Sequence, residues 1–135
     1  MEKYSLIIAG SRGWNNYDLL FSKIKQFYKL FIKPTGKHTK IVSGTAQGAD
    51  RMGEQFAQHF NLELIRMPAD WDTHGKAAGY KRNEAMAAIA DGCIVFWDGK
   101  SNGSFHMMNI AFAKHLDLWI IKADGSIHRS PGELV

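Results

Sequence analysis

A single cysteine, Cys93, is all the chain offers for sulfur bridging. That excludes a disulfide framework and fits a reducing compartment. The six histidines and the one cysteine show no zinc-ligand spacing, so no metal site is expected. Long apolar runs are missing too: nothing approaches the roughly 18 residues of a membrane span. The opening MEKYSLIIAG runs into Ser-Arg without a cleavage-site pattern and reads as a first strand, not a signal peptide. A cytosolic protein without membrane contact or bound cofactor is the expectation. No repeat, low-complexity segment or linker interrupts the 135 residues, which read as one domain with a core over 4–122 and a tail over 123–135.

What is present suits such a domain. Hydrophobic residues make up 45%, and four Trp, eight Phe and four Tyr supply bulk for a core. The formal charge is +4, and much of the excess sits at Lys23, Lys25, Lys29, Lys33, Lys37 and Lys40. This run reads as the solvated face of a helix and the loop after it. A nucleic-acid surface is the competing reading, and it lacks the aromatic interleaving such surfaces use.

Short apolar runs alternate with helical stripes along the whole chain. YSLIIAG, KIVSG, LELIRM, GCIVFW and LDLWIIK read as five strands. Between them, Leu20, Ile24, Phe27, Tyr28 and Phe31 form a helical stripe, capped by Asn15 or Asn16 and ended by Pro34. Three further helices are expected over DRMGEQFAQHF, KAAGYKRNEAMAAIA and SFHMMNIAFAKH. Such alternation predicts an α/β fold: a Rossmann-like, doubly wound parallel sheet of five strands in the order 3-2-1-4-5, with helices on both faces. The helix over 104–115 is apolar almost all round, which points to a homo-oligomer interface or to cover by the tail.

In such a sheet ligands sit beyond the carboxyl ends of the strands. GSRGW, SGTAQGAD, PADWDTHGK and WDGKSNGS all fall at that rim. Three of them are rich in Gly and Ser and lead into helix starts, where bare backbone amides favour an anion. A nucleotide or phosphosugar site is the reading, against the alternative that the glycines merely serve tight turns. Familiar fingerprints do not fit. Gly10 and Gly13 give G-x-x-G, strand two ends in Ser-Gly instead of a ribose-binding acid, and the GKS at Gly99–Ser101 has Ile94 where a P-loop needs glycine. The stripe Ala78, Arg82, Ala85, Met86 and Ile89 places Arg82 on a buried face. A guanidinium there needs a partner, either Asp50, Asp70 or Asp98, or a ligand phosphate gripped by its fork.

IIAGSRGW, SGTAQGAD, PADWDTHGKAAGYKRNEAM and VFWDGKSNGS, in this order, resemble the SLOG superfamily, in its branch of small stand-alone bacterial and phage proteins related to YspA and YpsA. Relatives include the "Lonely guy" phosphoribohydrolases, DprA-type DNA-binding proteins and sensors of NAD-derived signals. The resemblance implies a nucleotide or ADP-ribose-like ligand bound by Gly10, Ser11, Arg12, Ser43, Gly44, Gly48, Asp50, Arg82, Asn83, Asp98, Gly103 and Ser104. It also implies differences. Arg82 and Asn83 stand for the hydrolases' Arg-Lys pair, Gly103 and Ser104 for their Gly-Thr, and the glutamate of that motif falls on Met107. Catalysis would then rest on Asp50 or Asp98. Three functions follow: a nucleotide-binding sensor or sequestering protein, an N-glycosidase, or a single-strand nucleic-acid binder using the Lys23–Lys40 face.

Overall fold

β1 (Lys3–Gly10) is the central seam of a six-stranded sheet in the computed structural model, which describes residues 2–135. β2 (His38–Ser43) and β3 (Glu63–Arg66) lie on one side of it, β4 (Gly92–Trp97) and β5 (Asp117–Lys122) on the other. All five are parallel, in the expected order. The tail adds what the sequence reading left out. β6 (Ile127–His128) pairs antiparallel with Ile120 and Ile121 at the sheet edge. Two residues are too short to show any periodicity.

Side chains of β1 alternate between two cores. Leu6 and Ile8 join the first, beneath α1 (Tyr17–Phe27) and α2 (Ala49–His59). Ile7 and Ala9 join the second, beneath α4 (Ala78–Ile89) and α5 (Asn102–Ala113). Burial on both faces explains why the strands read as unbroken apolar runs. Among the described residues no helix is long and apolar enough to cross a membrane.

The helices depart from the sequence pattern in three places. The first helix leaves α geometry at Tyr28, winds as a π-turn over Tyr28–Ile32 and tightens over Lys33–Thr35. The π-turn inserts a five-residue step, so Phe27 and Ile32 are both fully buried while Tyr28 stands in water. Ahead of α4 a four-residue helix, α3 (Trp71–His74), is capped by Asp70, whose side chain accepts from the Thr73 amide at 3.1 Å. On α4 the buried stripe is rotated by one residue: Ala78, Asn83, Met86 and Ala87 are buried, whereas Ala85 and Ile89 are exposed. Tail cover of α5 is partial. Leu134 packs on the second core, and Phe105 and Phe112 remain exposed.

Right-handed crossovers bring the loops after β1, β2, β3 and β4 to one edge. Strand order reverses between β1 and β4, and there the two loops diverge to leave a crevice.

Candidate functional site

The rim is held together by its smallest residues. Ser11 is fully buried and joins three loops: its amide donates to Phe96 O, its carbonyl accepts from Trp14 and Ala49, and its Oγ accepts from the Asp98 amide at 2.9 Å. Gly48 (φ 77°) lies so close that a Cβ would land on the carbonyl oxygens of Ser11 and Arg12. Gly10 is pressed in the same way against Phe96 O and the Ala49 Cβ. The glycines of the first two loops are therefore required by close approach of backbone to backbone.

Above these loops sits a cavity of about 410 Å3, which Gly10, Arg12, Asp50, Arg82, Asn83, Asp98, Gly103 and Ser104 help to line. Asp50 follows the bare turn after β2 and is 5% exposed. Burial pushes its carboxyl up to about 6, against the Ala46 amide and the Arg82 and Arg12 guanidinium groups, which pull it down. Asp50 Oδ2 accepts from the Ala46 amide at 3.1 Å; Oδ1 has no partner among the described residues. Arg82 crosses from α4 to meet this loop. Its Nη1 donates to Gly44 O and its Nε to Asn83 Oδ1 at 3.0 Å, while Nη2 has no partner among the described residues. A Cβ on Gly44 would stand 2.7 Å from Arg82 Nη1 and 2.8 Å from Asp50 Oδ2. Gly44 is bare because these two side chains fold over it. Desolvation lowers the pKa of Arg82, opposed by the Asp50 charge.

Asn83 is buried and its polar atoms are all engaged. Oδ1 holds Arg82, and Nδ2 lies 3.2 Å from both Gly103 O and His106 Nδ1. It orients the guanidinium and pins the start of α5. Desolvation lowers the His106 pKa, in keeping with an unprotonated Nδ1 facing Asn83. Ser101 caps α5 by accepting from the Ser104 amide at 3.4 Å, and the Asn102 and Gly103 amides have no intrahelical acceptor. A Cβ on Gly103 would meet nothing within 4 Å. Asp98 is exposed and accepts from the Lys100 and Ser101 amides at 2.8 and 2.9 Å, which holds its pKa low.

A model of the YspA, cpYpsA-related SLOG family (YAcAr) matches residues 5–74, from β1 through α3. The chain belongs to this family. The gene 61 protein of Mycobacterium phage D29 is 35% identical over 112 residues, covering 78% of this chain and 86% of the phage protein. Two solved structures share the fold. DprA of Streptococcus pneumoniae has a TM-score of 0.66 at 18% identity, with 89% of this chain and 50% of that one aligned. DprA of Helicobacter pylori, described by its single-stranded DNA binding mode, has a TM-score of 0.62 at 19% identity over 97% of this chain and 71% of that one. The present chain thus spans half the length of the pneumococcal protein.

In this SLOG protein four of the expected binding residues stand behind the cavity wall. Ser11, Gly44 and Gly48 pack the rim as described, and Ser43 turns inward, its Oγ donating to Glu54 Oε2 at 2.6 Å. Glu54 in turn pairs with Arg66 at 3.2 Å. The i,i+4 spacing of Asp50 and Glu54 on α2 was the available sign of a second inward acid. Trp71, Lys76 and Tyr80 also line the cavity, and the sequence pattern does not single them out. Trp71 lies in a four-residue helix too short for a periodic signal, and Lys76 and Tyr80 lie off the apolar stripe of their helical segment; all three reach the cavity through the packing of α3 beside α4. None of the lysines from Lys23 to Lys40 lines the cavity. Lys37 and Lys40, at the opposite edge of the sheet, pair with Glu2 at 3.9 Å and Glu63 at 3.3 Å.

Proposed function

We propose that this SLOG protein binds a nucleotide-derived anion, of the AMP or ADP-ribose type, in the crevice above β1 and β4, as a sensor or sequestering protein. The observation that carries the reading is Arg82. Neutral acceptors, Gly44 O and Asn83 Oδ1, hold its guanidinium in place, and Nη2 is left for a ligand. A fork so oriented suits a phosphate oxygen. Arg12 and Lys76 on the same wall add positive charge, and the first amides of α5 add donors. The free Oδ1 of Asp50 supplies what a ribose hydroxyl needs, an acceptor.

Binding without turnover is the expected behaviour. Met107 stands where the related hydrolases carry a glutamate, and a thioether neither moves a proton nor stabilises an oxocarbenium-like centre. Asp98 is tied to two amides and held low, so it stays ionised and donates no proton to a leaving base. Calorimetry with AMP and ADP-ribose is expected to show saturable one-site binding, and chromatography of the same mixtures to show no free base or ribose phosphate. No binding of either ligand by folded protein would sink the proposal. Base release that Asp50→Asn or Asp98→Asn abolishes would replace it with the glycosidase reading.

Self-association through α5 is proposed alongside. Phe105 and Phe112 are 45% and 51% exposed on a helix whose other face is already buried. Light scattering should give a dimer or larger species at micromolar concentration, and Phe112→Lys should return it to monomer. A wild-type monomer under those conditions would refute the interface.

A further inference from the structure

The crevice has an end that anion binding leaves unused. Trp71 opens α3, Tyr80 lies in the first turn of α4, and both line the cavity. They are 53% and 46% exposed, and every residue from 71 to 77 is exposed. An indole and a phenol ring at a cavity mouth, in water, contribute nothing to either core. Their placement is nonetheless defined. The Trp71 ring reaches the bare side of Gly79, its Cη2 at 3.6 Å from where a Cβ there would stand. Arg82 Nη2 lies 3.9 Å from that same point. The free end of the guanidinium and the indole therefore flank one glycine. Tyr80 is held edge-on by the His106 ring, with centroids 4.4 Å apart.

We propose that Trp71 and Tyr80 form a stacking clamp for the base of the nucleotide whose phosphate Arg82 holds, with α3 carrying one ring and α4 the other. The inference rests on the proposed function and deepens it: the ligand must join a flat aromatic ring to an anionic group a few ångströms away, as a nucleoside monophosphate does. A sugar phosphate satisfies only the anionic end. Stacking uses the π-face common to all bases, so this clamp favours the larger purine ring over a pyrimidine without reading its edge.

The test compares AMP with ribose 5-phosphate by calorimetry, on wild type and on Trp71→Ala, Trp71→Phe and Tyr80→Ala, each checked for folding by circular dichroism. AMP should bind wild type more tightly by about tenfold or more, the range of one base stack. Trp71→Ala should erase most of that preference and leave ribose 5-phosphate affinity unchanged, Trp71→Phe should keep most of it, and Tyr80→Ala should fall between. Trp14 and Trp119 are buried and Trp97 is half-buried, whereas Trp71 is exposed, so AMP should also quench tryptophan emission, and the difference between wild type and Trp71→Phe isolates the Trp71 part of that quench. If AMP binds and Trp71→Ala keeps the full preference, the clamp is overturned and the anion site stands. If neither compound binds wild type, both fall.

Discussion

Arg82→Ala is expected to weaken AMP binding by about thirtyfold or more, since truncating one partner of a partly buried charged contact costs about 2 kcal/mol upwards. The effect on folding should be smaller. Arg82 is only partly buried and its hydrogen-bond partners are neutral, so its removal leaves a carbonyl and an amide oxygen short of a donor; the Asp50 carboxyl loses a nearby positive charge and answers by holding its proton to higher pH. The pairing considered from the sequence alone, a direct ion pair with Asp50, is not among the ion pairs of the described residues; the two interact through space across Gly44. A binding isotherm and a urea melt on the same preparation separate the outcomes. Unchanged affinity would remove Arg82 from the site. A loss of stability above about 3 kcal/mol with binding intact would make it a structural cation.

Asp50→Asn should raise stability near neutral pH while lowering ligand affinity. Burial lifts the native carboxyl from 3.8 to about 6. Below the unfolded value both states are protonated, and the group contributes no difference. Between about pH 4 and pH 6 the unfolded chain has released a proton that the native state still holds, so stability falls as pH rises through that window and is level above it. The asparagine variant lacks this slope. It should match wild type at pH 3.5 and exceed it at pH 7 by about 3 kcal/mol, the equivalent of a shift of roughly two pKa units. Denaturant midpoints for both proteins across that range isolate Asp50, because every other carboxylate is common to the two. A constant difference from pH 3.5 to pH 7, or a less stable variant at pH 7, would contradict the assignment. A carboxylate kept at such a cost inside a crevice is what a binding site requires of an acceptor.

The same two residues show where local pattern stops being informative. That the chain forms a doubly wound parallel sheet was determined by sequence alone, because strands buried on both faces must be short apolar runs and must alternate with amphipathic helices. Leu6 and Ile8 against Ile7 and Ala9 state that rule in four residues. The rim was legible for the same reason: once strand order is known, GSRGW, SGTAQGAD and WDGKSNGS have nowhere else to go. Which of their residues face the crevice was not. Gly44 and Gly48 look like anion-cradling glycines in the string, and Ser43 like a hydroxyl donor. Only packing reveals that Gly48 makes room for the carbonyls of Ser11 and Arg12, Gly44 for Arg82 and Asp50, and that Ser43 serves Glu54. A glycine needed for close approach carries no mark of what approaches it. Tertiary structure likewise brought in Trp71, Lys76 and Tyr80: a four-residue helix has no period to read, polar-face residues of a helix carry no mark of a neighbour, and the docking of α3 on α4 is a contact between separate elements. Asp50 was a rim acid by position, and only its burial pushed its carboxyl up to about 6 against the pull of the Arg82 charge, because desolvation and field are properties of the assembled site.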